Sequence, residues 1–186
     1  MLRNTNTQYG SVSKAFHWIM SASIISLVIA GFTMINLKNG DTKWQIYELH
    51  KATGMIILML VPFRLIWRMS QTRPTLQMLP KHEKTTAVLG QRTLYLIMFL
   101  MPLSGWFMST AAGYAPSIFG LFTISAPIAE TKANSDIFHS VHWYTAWSLS
   151  LMLVGHIGFA LKNHIADKNM VLRRMLPGKM KAPLQP

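Results

Sequence analysis

The sequence predicts an all-α integral membrane protein, a four-helix bundle with both termini in the cytoplasm. Three observations lead to this prediction: four long apolar segments, too few charged residues to cover a water-facing surface, and a strong bias of Lys and Arg toward one side of the bundle. A bilayer core about 30 Å thick needs roughly 20 apolar residues in a helix. Each segment comes near or exceeds that length, so each is predicted to cross the membrane.

The predicted transmembrane helices cover about residues 15–37, 45–68, 93–112 and 138–165 of a single domain that spans residues 1–186. The second helix is the least apolar, because Lys51 and Arg64 flank a short charge-free centre, residues 52–63. These two charges are expected near the two membrane interfaces or against a buried group. The connection over residues 113–135 is partly apolar and is predicted to lie along the membrane surface.

Composition narrows the possible functions. Charged residues make up 13% of the chain, whereas a soluble domain has about 25%. The absence of cysteine excludes disulfides, thiolate catalysis, iron–sulfur clusters and cysteine-bound haem. The formal net charge of +12 suits a nucleic-acid or a membrane partner. The long apolar segments decide for the lipid bilayer, and no nucleic-acid partner is predicted.

The distribution of Lys and Arg predicts the orientation. Of the 18 such residues, 4 lie on one predicted side (Lys38, Lys43, Lys51 and Lys132). The other 14 lie on the side of the termini: Arg3, Lys14, Arg64, Arg68, Arg73, Lys81, Lys84, Arg92, Lys162, Lys168, Arg173, Arg174, Lys179 and Lys181. Cytoplasmic loops carry the excess of Lys and Arg. Both termini are therefore predicted in the cytoplasm of a multi-pass protein.

Histidines are the notable ionisable residues of the predicted bundle, and such residues inside a membrane are costly and usually functional. His142 and His156 are 14 residues apart in the fourth helix. Because 14 residues make nearly four turns, both rings lie on one helix face, about 21 Å apart along the axis. His50 lies near the outer start of the second helix, and His17 near the cytoplasmic start of the first. The sequence therefore predicts an outer pair, His50 with His142, and an inner pair, His17 with His156.

Two stacked histidine pairs in a four-helix bundle suit two b-type haems, because haem iron takes axial imidazoles from opposite sides. Such haems at two depths would carry electrons across the membrane. A zinc site needs three or four ligands together, whereas these pairs are separated in depth and have no carboxylate beside them inside the membrane. A cofactor-free membrane protein, such as a metal transporter subunit, is the rival interpretation.

Other residues lie at matching depths. Arg64 comes 14 residues after His50 and is predicted, with Arg68, to bind the propionates of the inner haem, while Lys51 serves the outer haem. The alternative for these cations is snorkelling to the interface, and the two interpretations weigh equally for Arg68. Gly54 lies one turn below His50 and leaves room for a porphyrin, with close helix packing as the alternative.

Two further histidines have weaker assignments. His164, eight residues after His156, is predicted to bind a quinone headgroup or relay its protons. A plain interfacial histidine is the alternative. His139 comes three residues before His142, but it is off the face of His156 by about 100°. His142 is therefore the preferred outer ligand and His139 the fallback.

Short motifs follow one another along the chain: Tyr9-Gly10, Ala15-Phe16-His17-Trp18, Glu48-Leu49-His50-Lys51 with Gly54, Arg64-Leu65-Ile66-Trp67-Arg68, Leu94-Tyr95, Met101-Pro102-Leu103-Ser104-Gly105-Trp106, His142 with Ala146-Trp147, and Gly155-His156. The segment from Asp167 to Met175 follows them. In order and spacing these motifs resemble the bacterial cytochrome b561 family of di-haem membrane proteins over nearly the full length.

The resemblance implies two b haems ligated by His17, His50, His142 and His156, the same residues that depth and helix phase select. It also implies electron exchange, in the bacterial inner membrane, between the ubiquinone pool and a partner at the outer face. Some similar proteins oxidise superoxide and pass the electron to ubiquinone. A non-catalytic haem-bearing subunit, or an electron carrier for a separate periplasmic redox protein, is the alternative.

The chain departs from the family pattern at two places on the cytoplasmic side. Family members often carry His where this chain has Gln91, and a His-His pair where it has Asn163-His164. The inner quinone or proton site is therefore expected to differ here.

Overall fold

The computed structural model describes residues 1–76 and 79–178, and within them the chain forms four α-helices and no β-strand. The helices are α1 (Ser11–Asn36), α2 (Asp41–Met69), α3 (Lys81–Ala111) and α4 (Lys132–Ile165). All four are long and apolar enough to cross a membrane, which confirms the predicted all-α membrane fold. Two of the basic residues on the side of the termini, Lys179 and Lys181, lie outside the described residues.

The helices are longer than the apolar segments that predict them. α3 begins at Lys81 rather than near residue 93, and α4 begins at Lys132 rather than near residue 138. Apolarity detects only the part of a helix that contacts lipid, whereas Lys, Glu, Gln and Arg also favour helix in water. The hydroxyl of Thr131 caps α4 by accepting a hydrogen bond from the Asn134 amide at 3.2 Å, which accounts for the early start.

A buried core joins all four helices. Its members are Met20 and Ile24 of α1, Ile57 and Val61 of α2, Leu94 and Met98 of α3, and Leu149 of α4. Helices adjacent in sequence pack against one another: α1 on α2, α2 on α3 and α3 on α4. Within the described residues, the backbone of α4 makes no comparable approach to α1 or α2. Side chains rather than close backbone packing therefore bridge the space between α4 and these two helices.

One end of the bundle is closed by the N-terminal segment, the α2–α3 connection and the tail after α4. The Thr75 amide donates to the Asn6 carbonyl at 3.0 Å, and Arg174 Nη1 donates to the Thr75 carbonyl at 2.5 Å. The Trp18 indole donates to the Met175 carbonyl at 2.8 Å. These contacts gather the three segments into one layer at the Lys- and Arg-rich end.

Gly10 allows the N-terminal segment to turn tightly into α1. A Cβ atom at this position would lie 2.3 Å from the Leu2 carbonyl oxygen and 2.5 Å from the Arg3 carbonyl carbon. Any larger residue would therefore push the segment away from the helix. The neighbouring Tyr9 is half-buried. Burial raises the pKa of its hydroxyl, and the nearby Arg68 guanidinium opposes that shift.

Candidate functional site

Four histidines from three helices form two pairs. The ring centres of His50 on α2 and His142 on α4 are 6.4 Å apart, and those of His17 on α1 and His156 on α4 are 6.2 Å apart. The structure thus brings together the residues that the sequence predicts to pair. Leu149, midway in sequence between the two α4 histidines, is buried in the core. An apolar layer therefore separates the outer pair from the inner pair.

The ring of His142 is held by the backbone of α3. Its Nδ1 lies 3.0 Å from the Met101 carbonyl oxygen and 3.3 Å from the Ser104 hydroxyl. Because a carbonyl oxygen only accepts, Nδ1 carries the proton and Nε2 keeps its lone pair. A metal-binding histidine is usually oriented in this way, by a hydrogen bond from its second nitrogen. His142 is therefore prepared to bind a metal through Nε2.

Gly105 makes room for that ring. A Cβ atom at Gly105 would lie 2.8 Å from Cε1 and 3.0 Å from Nδ1 of His142, closer than carbon atoms normally approach. The sequence motif contains Gly105, but helix periodicity assigns it no role, because α3 contributes no histidine to either pair. Its contact with α4 is visible only in the folded structure.

His50 faces His142 across an apolar cavity. The cavity is lined by both rings and by apolar residues of all four helices, including Leu27, Ile57, Met98 and Leu149. His50 Nδ1 is buried, and the Leu27 backbone of α1 is the described group that interacts with this ring by hydrogen bonding. Both imidazole rings therefore border the same apolar cavity.

Two glycines border the outer pair, and a third, Gly155, precedes His156 on α4. A Cβ atom at Gly31 would lie 3.5 Å from Cε1 of His50, an ordinary contact, so Gly31 packs against the outer pair. Gly54 lines the outer cavity, and a Cβ atom there would meet no described atom within 4 Å. Gly155 is exposed, and a Cβ atom there would also meet no described atom within 4 Å. Close helix packing therefore does not explain Gly54, and the room that it leaves in the cavity agrees with a bulky planar ligand.

Two arginines lie beside the inner pair. Arg64 Nη2 donates to His17 Nδ1 at 3.1 Å, and Arg68 Nη2 donates to the Gln91 amide oxygen at 2.6 Å. Both guanidinium groups stack on Tyr95, with 5.5 Å and 5.2 Å between their central carbons and the ring centre. Arg64 is thus on the ligand face at the inner depth, as its spacing from His50 predicts. Sequence reasoning did not select Tyr95, which brings the two cations together.

The spacing of both pairs fits one metal ion between opposed imidazoles. With metal–nitrogen bonds of about 2.0–2.1 Å, as for zinc, the centres of two rings on opposite sides of one ion are roughly 6 Å apart. The measured separations are 6.4 Å and 6.2 Å. Across the described residues, no three His, Asp or Glu side chains form a metal-binding group. The donors therefore suit haem iron with two axial histidines better than zinc.

Lys51 lies in the first half of α2, toward the end of the bundle away from the termini, where its charge is already paired. Its ammonium group is 2.5 Å from the Glu48 carboxylate and donates to the Tyr114 carbonyl at 3.3 Å. The Lys51 side chain is 15% exposed, compared with 55% for Glu48. Lys51 would have to exchange Glu48 for a haem propionate in order to fulfil its predicted role.

The remaining histidines lie apart from the two pairs. His139 is exposed, whereas His142 points into the bundle. His164 Nδ1 is buried and has no hydrogen-bond partner among the described residues. The preceding Asn163 is fully buried; it donates to the Phe159 carbonyl at 3.0 Å and accepts from the Asn169 amide group. Asn163 therefore fixes the turn that follows α4.

The chain has helices that can cross a membrane and facing histidine pairs at two depths. This arrangement is typical of membrane proteins that carry electrons on histidine-bound haem. The prokaryotic cytochrome b561 family matches residues 8–178, and the chain belongs to it. It is 35% identical over 177 residues to cytochrome b561 homolog 2 of Escherichia coli (strain K12), with 93% of each chain covered. The protein is therefore a multi-pass bacterial membrane protein of electron transport that uses b-type haem.

Proposed function

We propose that the protein holds two b haems, one between His50 and His142 and one between His17 and His156, and carries electrons across the inner membrane. The observation that supports this most is the placement of two opposed imidazole pairs at two depths along α4. Electrons would pass between the ubiquinone pool and a partner at the outer face. The Lys- and Arg-rich end, with both termini, would face the cytoplasm.

Bound haem would supply the one-electron chemistry, and the protein sets its position and surroundings. The Met101 carbonyl orients His142, and the buried side chains around Leu149 keep water out of the layer between the two sites. Gly54 leaves open space in the cavity beside the outer pair. These residues belong to the cofactor sites because they determine where two large planar groups fit.

The contact between Arg64 and His17 has to change when the inner site is filled. In the structure, His17 Nδ1 accepts from Arg64. A neutral imidazole that binds iron through Nε2 carries its proton on Nδ1, and such a nitrogen cannot accept. Arg64 would therefore release His17, and its guanidinium, with that of Arg68, would be free to bind an anionic propionate. The release of Arg64 from His17 on filling of the inner site supports propionate binding by Arg64 over simple snorkelling to the interface.

A quinone site near the inner pair would need an apolar slot with a polar end. An apolar groove between α2 and α3 is lined by Val61, Pro62, Leu65, Tyr95, Leu96 and Phe99. Tyr95 also stacks with Arg64 and Arg68, so the polar end of the groove lies beside the proposed inner haem. We assign this groove to ubiquinone. His164 is the proposed proton relay, because its buried Nδ1 has no partner among the described residues.

The haem content of the purified protein tests this function directly. Protein produced with sufficient haem should be red, show a b-type spectrum on reduction and contain two haems per chain. Ubiquinol should reduce both haems, since both belong to one path. A folded, monodisperse and colourless preparation would contradict the proposal and favour a cofactor-free membrane protein.

Superoxide is the proposed donor at the outer face. Each superoxide would give up one electron and leave as oxygen, and two electrons with two protons would convert ubiquinone to ubiquinol. In that case the protein is an oxidoreductase. Because Lys51 is paired with Glu48 at 2.5 Å, any attraction of an anion must be local and modest.

The two members of this ion pair should affect the superoxide reaction in opposite directions. In stopped-flow mixing of oxidised protein with superoxide, Lys51→Gln should slow haem reduction and Glu48→Gln should accelerate it. Each change should be roughly two- to threefold at low salt, because an ion pair with one solvent-exposed member, here Glu48, is worth about 0.5 kcal/mol. The effect of each variant on the rate should disappear at about 1 M salt, where the Debye length is about 3 Å.

Lys43→Gln is the matched control for this comparison, because Lys43 lies two turns earlier on α2 and contacts the Leu37 carbonyl and Asn39 instead. If neither ion-pair variant changes the rate, the anion is not steered by this pair. If superoxide reduces no haem at all, the protein is better described as an electron carrier for a periplasmic redox protein or a haem-bearing subunit.

A further inference from the structure

The connection between α3 and α4 contains a small hairpin with an apolar tip. Ser117 and Thr123 form an antiparallel bridge, and the Ile118 amide donates to the Phe122 carbonyl at 2.8 Å. The Leu121 amide donates back to the Ile118 carbonyl at 3.0 Å. The hairpin therefore satisfies much of its own backbone, which any segment needs before it can leave water.

The tip directs large apolar side chains outward. Phe119 is 56% exposed, Leu121 79% and Phe122 55%. The sequence has no charged residue from residue 112 to residue 129. An exposed apolar cluster in a segment without charges marks a surface that contacts a protein or a membrane.

Phe119 adopts a backbone conformation that favours glycine or asparagine. Its φ is +49°, and Gly120 follows at +77°. A bulky residue with positive φ is an outlier that costs free energy. The presence of phenylalanine here, with its ring exposed, indicates that the side chain serves a contact outside the fold.

Three hydrogen bonds attach the segments on either side of the hairpin to the end of α3. The Trp106 indole donates to the Ile124 carbonyl at 2.9 Å, and the Ala126 amide donates to the Thr110 hydroxyl at 3.1 Å. The Ser109 hydroxyl donates to the Tyr114 carbonyl. These bonds hold the hairpin beside the end of a membrane-crossing helix, where the lipid headgroups begin.

We propose that the tip formed by Phe119, Leu121 and Phe122 inserts into the interfacial region of the outer lipid leaflet. Aromatic and aliphatic side chains favour that region, and the lipid surface is the apolar phase that always lies next to the ends of α3 and α4. A protein partner is less suited, because the tip offers no charge with which to select one. This proposal does not depend on the haem assignments.

The absence of cysteine allows a direct test with a single introduced thiol. Leu121→Cys, labelled with an environment-sensitive fluorophore in nanodiscs, should be quenched severalfold more by brominated acyl chains than by aqueous iodide. Ala133→Cys, at the exposed start of α4, is the control and should show the reverse preference. Phe119→Asn with Phe122→Ser should abolish the quenching by lipid at position 121, while Asn keeps the positive φ.

Two outcomes would overturn the proposal. One is quenching of the Leu121→Cys label by iodide as strong as that at Ala133→Cys. The other is a label at position 121 that neither quencher reaches, and that becomes more shielded as more chains are placed in each nanodisc. The tip would then contact a second copy of the chain instead of lipid. An unchanged helical circular dichroism spectrum shows that each variant is folded.

Discussion

Replacing His142 with alanine is expected to lower the haem content from two per chain to one. The ring of His142 faces His50 at 6.4 Å, so its loss would leave the outer haem with a single axial ligand. A haem with one protein ligand is held loosely and has an altered spectrum. His50→Ala should give the same result. His17→Ala or His156→Ala should remove the inner haem instead, and quinol should then reduce no outer haem.

The neighbouring His139 provides the matched control. It is three residues away on the same helix but is exposed, so His139→Ala should keep two six-coordinate haems. The measurements are haem per chain and low-temperature spectra of the two sites. Retention of both haems in His142→Ala, with loss of one in His139→Ala, would show that the fallback residue is the outer ligand.

Replacing Gly105 with alanine is expected to weaken the outer haem although Gly105 offers no ligand atom. The new methyl group would lie 2.8 Å from Cε1 of His142, and the ring is held on the same side by the Met101 carbonyl. The ring would have to turn away from its hydrogen bond. Overpacking of this kind costs about 1–3 kcal/mol, which corresponds to roughly a 5- to 150-fold loss of outer-haem affinity.

Gly90→Ala is the control in the same helix, because a Cβ atom at Gly90 would meet no described atom within 4 Å. Both variants gain the same helix propensity, about 0.5–1 kcal/mol, so their difference isolates the contact with His142. Haem titration, together with the midpoint potential of each haem, should show a change confined to the outer site in Gly105→Ala. Equal behaviour of the two variants would mean that His142 adjusts freely.

Several properties of the site could be predicted before folding is considered. The length and apolarity of the four segments predict the bundle, and the 14-residue spacing of His142 and His156 places one ring at each depth. The same spacing relates Arg64 to His50. These predictions rest on regular helix geometry, since a helix rises a constant distance and turns a constant angle per residue. Helix starts were less predictable, because the polar first turns of α3 and α4 lie outside the lipid.

Contacts between helices could not be predicted in this way. Periodicity shows which residues share one face, but it does not show how closely two faces approach or what stands opposite each residue. Lys51 illustrates the difference: its position predicts an attractive site for anions, whereas the fold pairs it with Glu48 at 2.5 Å. Asn163 is another case, since its departure from the family pattern suggested an altered inner site and its amide proves to hold the turn after α4.

The sequence by itself determined the membrane architecture, the two depths and the histidines that share them, because these follow from composition and from the repeat of a single helix. Only the tertiary structure decided that α3, which contributes no histidine to the pairs, orients His142 through Met101 and Gly105. It also decided that Arg64 and Arg68 meet on Tyr95, and that an apolar hairpin lies at the end of the bundle opposite the termini. These features arise where separate helices and a connecting segment meet, and their distances are set by packing among side chains that are remote in sequence.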